Sequence, residues 1–471
     1  MIPNHSKTIS TLTLGCKVND IDTQAMLEQF SAHGYTINPD FNTHADVYLI
    51  NTCTITNVGD KKSRQMIRRA KEQNPNAIVI AAGCYSQAAP EEVAAVKGVD
   101  IILGNKDRIN VANLVAQYQA SGQTEPYVHV SDLRYETIFE EMQITSMGGK
   151  TRAFLKIQEG CNEFCSYCII PYSRGNSRSR PLANIVAEAQ ELVKNGYKEL
   201  VLSGIHLASY GKDLASIPEQ EATRVDKETN VQSIFLADVI KAIHDIPGLE
   251  RIRLGSIEPM VTTPYFIETI QTLPKVCDHF HLSLQSGSDK ILRAMNRKYT
   301  REEFRQSVAS IRAIMPHAAI TTDIIVGFPG ESNLDFLETL DFAREIGFAA
   351  IHIFPYASKK GTRAAKFGDQ IDNATKNMRA QTLGELDKQG RADFAHQSMG
   401  KPLAVLFEST DGAGSYEGYS SNYIKVTTTS PTDLRNHIAA VTITQTLEES
   451  AFGDLLIPVH VAVQTPEKVA I

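Results

Sequence analysis

Short β-type runs of apolar residues alternate with helical patterns through the first part of the chain. A helical pattern over 19–34 follows the first of these runs, which lie at 8–14, 46–50, 77–82 and 99–103. Strands and helices in alternation predict a parallel α/β sheet. We therefore expect an N-terminal α/β domain over residues 7–120.

The same alternation starts again after residue 150, with six candidate strands. Helical patterns separate these strands, which lie at 152–157, 198–202, 251–254, 279–284, 320–326 and 350–354. Six consecutive βα units favour a partial (β/α) barrel, in which the functional site forms at the C-terminal ends of the strands. We expect this domain over residues 147–380. The polar, aperiodic segment 212–230 within it predicts an exposed loop.

The hydrophobic pattern changes a third time near the C terminus. A helical pattern at 373–398 predicts a connecting helix. Short β-rich segments separated by Gly and Ser follow from residue 401, at 403–407, 423–427 and 441–444. Such segments predict a small closed β-barrel, which we expect over residues 399–464.

Composition places the chain among ordinary globular proteins. Of its 471 residues, 42% are hydrophobic, and no apolar run approaches the roughly 20 residues that span a membrane. The first residues lack the apolar segment of a secretory signal, so we expect a cytoplasmic protein with no membrane association. Thiols stay reduced in that compartment, so the seven cysteines are interpreted as metal ligands or nucleophiles rather than as disulfides.

The net charge of −7 argues against a protein that coats nucleic acid, but basic residues are locally concentrated. Residues 61–71 contain six basic and no acidic side chains, and Arg174, Arg178 and Arg180 form a second basic stretch. Local patches of this kind can contact phosphates even on an acidic protein, because salt screens distant charges. A solvated helix face explains the pattern at 61–71 equally well.

Three closely spaced cysteines give the strongest chemical signal. Cys161, Cys165 and Cys168 form a CxxxCxxC run just after a predicted barrel strand. Three thiolates suit a cubane [4Fe–4S] cluster with one iron free of protein ligands, and such an iron can bind S-adenosylmethionine (SAM). A zinc site is the alternative, with His206 or a more distant residue as the fourth ligand.

Three further cysteines are far apart in the sequence but equivalently placed. Cys16, Cys53 and Cys84 each follow one of the first three predicted strands, about one βα unit apart. The C-terminal ends of parallel strands share one edge of a sheet, where ligand sites form, so we expect these cysteines to converge. The alternative is three unrelated buried cysteines.

Several long motifs resemble the radical SAM methylthiotransferase family. They are GCKVN at 15–19, NTC at 51–53, AAGCYSQ at 81–87, GCNEFCSYCIIPYSRGNSRSR at 160–180 and DIIVGFPGE at 323–331. The similarity covers nearly the whole chain, in the domain order of the family. GCKVN and the RSR ending are most similar to the bacterial branch that modifies threonylcarbamoyladenosine in tRNA, whereas NDIDT at 19–23 departs from the family pattern.

The resemblance implies an enzyme that uses two [4Fe–4S] clusters and SAM. The CxxxCxxC run would ligate the cluster that binds SAM, and the dispersed group of cysteines would ligate an auxiliary cluster that delivers sulfur. The implied reaction adds a methylthio group to carbon 2 of N6-threonylcarbamoyladenosine at position 37 of tRNA. The implied partners are the anticodon stem-loop of tRNA and an electron-donor protein.

Other functions remain as alternatives. Within the same family they are methylthiolation of another tRNA adenosine, of the isopentenyl type, or of a ribosomal protein. In a different class, the chain would be a non-catalytic, zinc-stabilised RNA-binding protein. Metal content separates the two classes, because two cubanes hold about eight irons per chain and a structural site holds about one zinc.

Further candidate cofactor contacts lie at predicted strand ends and within the cysteine run, and no side chain is assigned as a catalytic acid or base. These candidates are Tyr167, Gly204, His206, Glu258, Gln285, Gly327 and Gly330. Each has a structural alternative, such as core packing, a hydrogen-bonded histidine or a tight turn. Cys277 is interpreted as a small buried hydrophobe, and Asn19 as a cap of the helix that follows Cys16.

The C-terminal segment resembles a TRAM domain, an RNA-binding module, most clearly in GYSSNYIKV at 418–426. Residues 399–471 nevertheless contain four Lys or Arg against eight Asp or Glu, which weakens simple attraction to phosphates. We therefore expect stacking on, or hydrogen bonds to, bases of the tRNA loop. The candidate side chains are Tyr416, Tyr419, Asn422 and Tyr423.

Overall fold

The computed structural model describes residues 7–214 and 235–456, and between them the backbone of two short strands. These strands, β10 (Arg224–Val225) and β11 (Gln232–Ser233), pair antiparallel. Most of the loop predicted at 212–230 lies outside the described residues, as does the end of the predicted 399–464 domain beyond residue 456. No helix in the described part of the chain is long and apolar enough to cross a membrane.

The N-terminal unit is a six-stranded parallel sheet in the order β2-β1-β3-β4-β5-β6. Its strands are β1 (Thr8–Thr13), β2 (Thr36–Asn38), β3 (Val47–Thr52), β4 (Ile78–Gly83), β5 (Ile101–Leu103) and β6 (Tyr127–His129). The helices are α1 (Lys17–Ala32), α2 (Asn57–Gln73), α3 (Cys84–Ala88), α4 (Pro90–Ala94) and α5 (Val111–Ser121). Strands β3 and β4 are buried on both faces, as expected for a parallel sheet covered by helices.

The four inner strands of this sheet match the predicted runs, whereas the sequence pattern did not predict the two edge strands. Strands β2 and β6 are short, and none of their residues is buried. They therefore carry no hydrophobic pattern that marks a strand. Because β6 belongs to this sheet, the unit extends to His129, past the predicted limit at residue 120.

The second unit is a partial barrel of six parallel strands, as predicted. They are β7 (Ala153–Glu159), β9 (Glu199–Gly204), β12 (Arg251–Leu254), β13 (His279–His281), β14 (Ala319–Val326) and β15 (Ala350–Pro355). Strands β12, β9 and β7 form one sheet and β13, β14 and β15 another, and single parallel bridges at Ile252 and Ile257 join them. The short strand β8 (Arg178–Ser179) pairs antiparallel with β7.

Helices cover the outside of this barrel and share one hydrophobic core with its strands. They are α7 (Leu182–Lys194), α8 (Leu236–His244), α9 (Pro264–Gln271), α10 (Asp289–Ala294), α11 (Arg301–Ile314) and α12 (Asn333–Ile346). The short helix α6 (Ile170–Arg174) packs instead against α3 of the N-terminal unit. Apolar side chains such as Leu155, Leu202 and Ile252 point outward into this core. Alternation along each strand therefore turns polar side chains toward the barrel interior.

The C-terminal unit is a closed barrel of five strands, reached through α13 (Asn373–His396). Its strands are β16 (Pro402–Thr410), β17 (Ser415–Ser420), β18 (Lys425–Thr429), β19 (Ile438–Thr446) and β20 (Ser450–Leu455). The guanidinium of Arg251 donates to the carbonyl of Tyr419 at 3.0 Å, and that of Arg253 donates to the carbonyl of Ser421 at 2.9 Å. These bonds hold the small barrel against the inner face of the partial barrel.

Candidate cluster and cofactor site

Both predicted cysteine groups reach one cavity of about 530 Å³ between the N-terminal sheet and the mouth of the partial barrel. Cys16 lies on its N-terminal wall, and the CxxxCxxC run lies on its barrel wall. The remaining lining comes from the C-terminal ends of β9, β12 and β13, at residues 203–206, 255–258 and 283–285. This is the part of a (β/α) barrel where functional sites form.

The three dispersed cysteines lie together at one edge of the N-terminal sheet. Cys16 follows β1, Cys53 follows β3 and Cys84 follows β4, and these three strands are direct neighbours. Cys84 is buried, whereas Cys16 and Cys53 are partly exposed. Burial, helped by the nearby thiols of Cys84 and Cys16, raises the pKa of Cys53 to about 11. The expected convergence is therefore present.

A buried arginine from the barrel contacts this group of cysteines. Arg174, at the end of α6, donates from Nε to the sulfur of Cys84 at 3.1 Å. It also bonds the side-chain oxygen of Asn19 and pairs with Asp22 and Glu159. A cation beside a thiolate stabilises the ionised form that binds metal.

Asn19 does not cap α1, contrary to the sequence interpretation. Cys16 is the residue at the start of the helix, and it makes no side-chain capping bond. The Asn19 side chain instead donates to the carbonyls of Leu14 and Thr52, at 2.6 and 3.1 Å, and so ties the ends of β1 and β3 together. Its position in the first turn, rather than just before it, makes this cross-strand role possible.

The CxxxCxxC run forms a compact loop after β7. Gly160 has φ of +71°, and a Cβ there would lie 1.8 Å from the carbonyl oxygen of Asn176, so only glycine fits. Backbone N–H groups of Glu163 and Ile170 donate to the sulfurs of Cys161 and Cys168, at 3.5 and 3.4 Å. Such N–H···S bonds are typical of iron–sulfur ligands and tune the cluster.

Burial determines the protonation of these thiols. It raises the pKa of Cys161 and of Cys168 to about 12, so both are neutral thiols near pH 7 in the chain alone. Metal binding needs thiolates and therefore releases their protons. The three soft sulfur donors, already gathered in one loop, fit an iron–sulfur cluster.

The cysteines of the described chain are more widely spaced than the ligands of a single zinc ion. Two sulfurs bound to one zinc, each at about 2.3 Å, lie no more than about 4.6 Å apart. Among the described residues, one group of three potential ligands is within 4.8 Å, and it consists of His281, Asp323 and His352. Neither cysteine trio forms such a group, so at least one pair of sulfurs in each trio is farther apart than two ligands of one zinc ion.

A chain of polar contacts links the cofactor candidates to the CxxxCxxC run. Nε2 of His206 lies 2.8 Å from a carboxylate oxygen of Glu258, whose other oxygen accepts from Arg297 at 2.5 Å. Arg297 also donates to the sulfur of Cys165 at 3.3 Å. All four side chains line the cavity. Although burial raises the pKa of Glu258, His206 and Arg297 hold it below its usual range, so the carboxylate is ionised.

Replacing Arg297 with Met is expected to make the reduction potential of the SAM-binding cluster more negative. The substitution removes a positive charge and a hydrogen bond to the Cys165 sulfur, both of which favour the reduced cluster. A redox titration followed by electron paramagnetic resonance measures this shift. An unchanged potential, with four irons still bound at this site, would contradict the assigned contact.

The other cofactor candidates divide into two groups. Tyr167, Gly204 and Gln285 line the cavity beside His206 and Glu258. Gly327 and Gly330 lie outside its lining. A Cβ on Gly327 would meet Cγ of Lys376 at 2.3 Å, so this glycine gives room to α13.

Arg174, Arg178 and Arg180 do not form a phosphate-binding surface, contrary to the sequence interpretation. All three are buried, and Arg180 pairs with Glu141 and Glu188. Charge counted along the sequence does not reveal such internal partners. The basic stretch on α2 is different, because Lys61, Lys62 and Arg68 are exposed on its outer face.

Two of the four side chains of the C-terminal barrel that were predicted to contact tRNA bases are buried. Tyr416 is buried in the barrel core, and Asn422 is buried and accepts from the Ser420 hydroxyl. Tyr419 and Tyr423 remain partly exposed and stack on each other with ring centres 4.9 Å apart. Cys277 is buried, as predicted.

Sequence comparisons agree with this architecture. Residues 155–343 match the Radical SAM superfamily, and residues 8–104 match the Uncharacterized protein family UPF0004. The "Threonylcarbamoyladenosine tRNA methylthiotransferase MtaB" of Bacillus subtilis (strain 168) is 40% identical over 440 residues, covering 93% of each chain. The chain belongs to the radical SAM methylthiotransferase family.

Other members of the family carry different names. The protein of the same name from Aquifex aeolicus is 40% identical, over 84% of this chain and 91% of its own. A "tRNA-2-methylthio-N(6)-dimethylallyladenosine synthase" from Thermoanaerobacter pseudethanolicus is 35% identical, over 84% of this chain and 81% of its own. Membership of the family alone therefore does not select between these two tRNA substrates.

The solved structure of the radical S-adenosylmethionine methyltransferase TsrM from Kitasatospora setae shares the fold. With cobalamin and a [4Fe-4S] cluster bound, it has a TM-score of 0.52 at 12% identity, covering 74% of this chain and 72% of that one. At this identity the likeness concerns the fold alone. It supports the arrangement of an N-terminal α/β sheet against a radical SAM barrel.

The sequence motifs did not single out Arg297, which lines the cavity, or the two histidines that contact Asp323. Arg297 lies after α10, outside every quoted motif, and reaches the CxxxCxxC run only through folding. His281 and His352 contact Asp323 from the neighbouring strands β13 and β15, with Nε2 and Nδ1 at 3.3 and 3.2 Å from its carboxylate. His279 and His281 lie two positions apart on one barrel strand and so share a face, which was the available sequence signal for this group of histidines.

Proposed function

We propose that this protein adds a methylthio group to carbon 2 of N6-threonylcarbamoyladenosine at position 37 of tRNA. The observation that carries the proposal is the shared cavity, which Cys16 enters from one side and the CxxxCxxC run from the other. The site that delivers sulfur and the site that generates the radical must both act on one substrate atom, so both sites must open into the same cavity. The names of the 40%-identical relatives supply the nucleoside.

In this proposal, Cys161, Cys165 and Cys168 hold a [4Fe–4S] cluster that leaves one iron for SAM. When bound, that cluster supplies the electron for reductive cleavage of SAM. The chain orients the cofactor through the neighbouring lining groups. Those assigned to SAM are Tyr167, Gly204, His206, Glu258 and Gln285; Gly327 and Gly330 shape the turn after β14 instead.

Cys16, Cys53 and Cys84 hold the auxiliary cluster in this proposal. Three thiols gathered at adjacent strand ends, with a guanidinium 3.1 Å from one sulfur, form a suitable donor set. Arg174 offsets part of the negative charge that three thiolates bring into a largely enclosed site. Its pairing with Asp22 and Glu159 fixes the guanidinium in that orientation.

The anticodon stem-loop of a cytoplasmic tRNA is the macromolecular partner in this proposal, and an electron-donor protein reduces the SAM-binding cluster. Lys61, Lys62 and Arg68 on α2 offer cations to tRNA phosphates. Tyr419 and Tyr423 offer aromatic surface at the entrance between the two barrels.

Mass spectrometry of tRNA nucleosides tests the proposed function. A deletion strain with no second enzyme of this type is expected to lose 2-methylthio-N6-threonylcarbamoyladenosine and to accumulate its unmethylthiolated precursor. Expression of the wild-type chain is expected to restore the product. Loss of a methylthiolated isopentenyladenosine instead would assign the other tRNA substrate, and no change in either nucleoside would refute both.

A further inference from the structure

Lys17 places a positive charge in the wall of the cavity. It follows Cys16 directly and is accessible to solvent. Among the residues that the structure describes, no carboxylate pairs with its Nζ, which lies 5.9 Å from the centre of the Phe154 ring.

The two arginines near Lys17 are each paired with a carboxylate. Arg152 is paired with Glu408 at 2.6 Å, and Arg253 is paired with Glu199 at 2.6 Å. Each of these two charges therefore has a counter-ion, whereas Lys17 has none among the residues that the structure describes.

Tyr423 lies against both of these arginines. The guanidiniums of Arg152 and Arg253 lie 5.4 and 4.8 Å from the centre of its ring. Although burial raises the pKa of the Tyr423 phenol, Arg152, Lys17 and Arg253 lower it below its usual range. The residue holds φ of +69°, a backbone conformation that non-glycine residues rarely adopt. Together, Lys17, Arg152, Arg253 and Tyr423 are here called the cationic pocket.

A lysine without a carboxylate partner forms a charge-assisted hydrogen bond when a ligand supplies an anion. The threonylcarbamoyl group of the proposed substrate ends in a carboxylate, whereas an unmodified adenine carries no negative charge at N6. The pocket adjoins the cavity in which both cysteine groups meet, so a nucleoside held there presents its N6 substituent to nearby protein groups.

We propose that Lys17 binds the carboxylate of the threonylcarbamoyl group and so determines the preference for this nucleoside. The inference rests on the proposed function and deepens it by naming a specificity-determining residue. Arg152, Arg253 and Tyr423 surround the lysine, and both arginines already have carboxylate partners. Lys17 acts in binding and takes no part in bond making or breaking.

Equilibrium binding of two forms of one tRNA tests the proposal. The reconstituted holoenzyme is titrated with tRNA that carries N6-threonylcarbamoyladenosine at position 37 and with the same tRNA lacking the modification. The preference is expressed as the Kd for the unmodified tRNA divided by the Kd for the modified tRNA. In Lys17→Met, this ratio is expected to fall by about 10- to 100-fold, because one charge-assisted contact is lost. The affinity for the unmodified tRNA is expected to stay within about twofold of the wild-type value.

Lys150→Met is the matched control. Lys150 also lies over the Phe154 ring, at 5.0 Å, but it is paired with Asp20 at 2.7 Å. The control removes a nearby positive charge, and its preference for the modified tRNA is expected to equal that of the wild type. Lys17→Gln, which retains polarity without charge, is the second variant. An iron content of about eight per chain in each variant shows that both clusters are retained.

Three results would overturn the proposal. Equal loss of affinity for both tRNAs, with a shallower salt dependence, would assign Lys17 to a backbone phosphate. Slower SAM cleavage without tRNA would assign it to the carboxylate of SAM. An unchanged preference for the modified tRNA would show that Lys17 does not bind the threonylcarbamoyl carboxylate. Each is distinct from failure of the proposed function, in which the wild-type enzyme forms no methylthio product from the modified tRNA.

Discussion

Replacing Cys161 with Ala is expected to reduce SAM cleavage below detection and to lower the iron content from about eight to about four per chain. The substitution removes one of three thiols that lie in a single loop at the cavity wall. Two remaining thiols do not hold a cubane that leaves one iron for SAM. Iron and sulfide analysis after anaerobic reconstitution, together with chromatography of 5′-deoxyadenosine, measures both effects.

Cys53→Ala tests the second cysteine group in the same assay. It is expected to lose about four irons, to form no methylthio product and to retain SAM cleavage, because the CxxxCxxC loop is unaltered. Cys277→Ala is the matched control, since its thiol is buried away from both groups and should change neither iron content nor product. Full product yield from both Cys161→Ala and Cys53→Ala would refute the cluster assignment.

Replacing Arg174 with Met is expected to lower the free energy of unfolding by about 3 kcal/mol. The buried carboxylates of Asp22 and Glu159 lose one of the cations that compensate them, while Arg108 and Lys156 remain. Although burial raises the pKa of Glu159, Arg174 and its neighbours hold it well below its usual range, so the carboxylate is charged in the wild-type protein. The chain has no tryptophan, so urea unfolding is followed by circular dichroism.

The same variant is expected to bind the auxiliary cluster less firmly, because the sulfur of Cys84 loses its donor. Iron loss to a chelator over time measures this effect. Arg134→Met is the matched control, because Arg134 pairs with Asp132 on the surface and its loss should leave the free energy of unfolding close to that of the wild type. Equal stability of the Arg174 and Arg134 variants would show that the buried ion network contributes little.

Strand and helix patterns were sufficient to predict the three-unit architecture. The inner strands of the N-terminal unit carry nearly continuous apolar runs, because helices cover both faces of the sheet, and these runs lie close to the observed bounds. Strands β2, β6, β17 and β20 were missed because they are exposed at an edge or alternate with polar residues. Such strands depend on their neighbours for stability and carry little local signal.

Local sequence also predicted which cysteines belong together. Cys161, Cys165 and Cys168 lie within eight positions, and the equivalent placement of Cys16, Cys53 and Cys84 after parallel strands follows from the periodicity of βα units. The basic stretch at 174–180 gave a wrong prediction, because the partners of these arginines, such as Asp22 and Glu188, lie elsewhere in the chain. Whether a charge is exposed depends on long-range packing.

The sequence by itself therefore determined the fold class and both cysteine groups, because these follow from local patterns and from spacing along the chain. Only the tertiary structure decided that the two groups reach one cavity, that Arg174 is buried against Cys84 and that Lys17 has no acidic partner in the described part of the chain. These properties depend on which distant side chains meet after folding. Pairing and burial of charges are determined by such contacts, which no local pattern encodes.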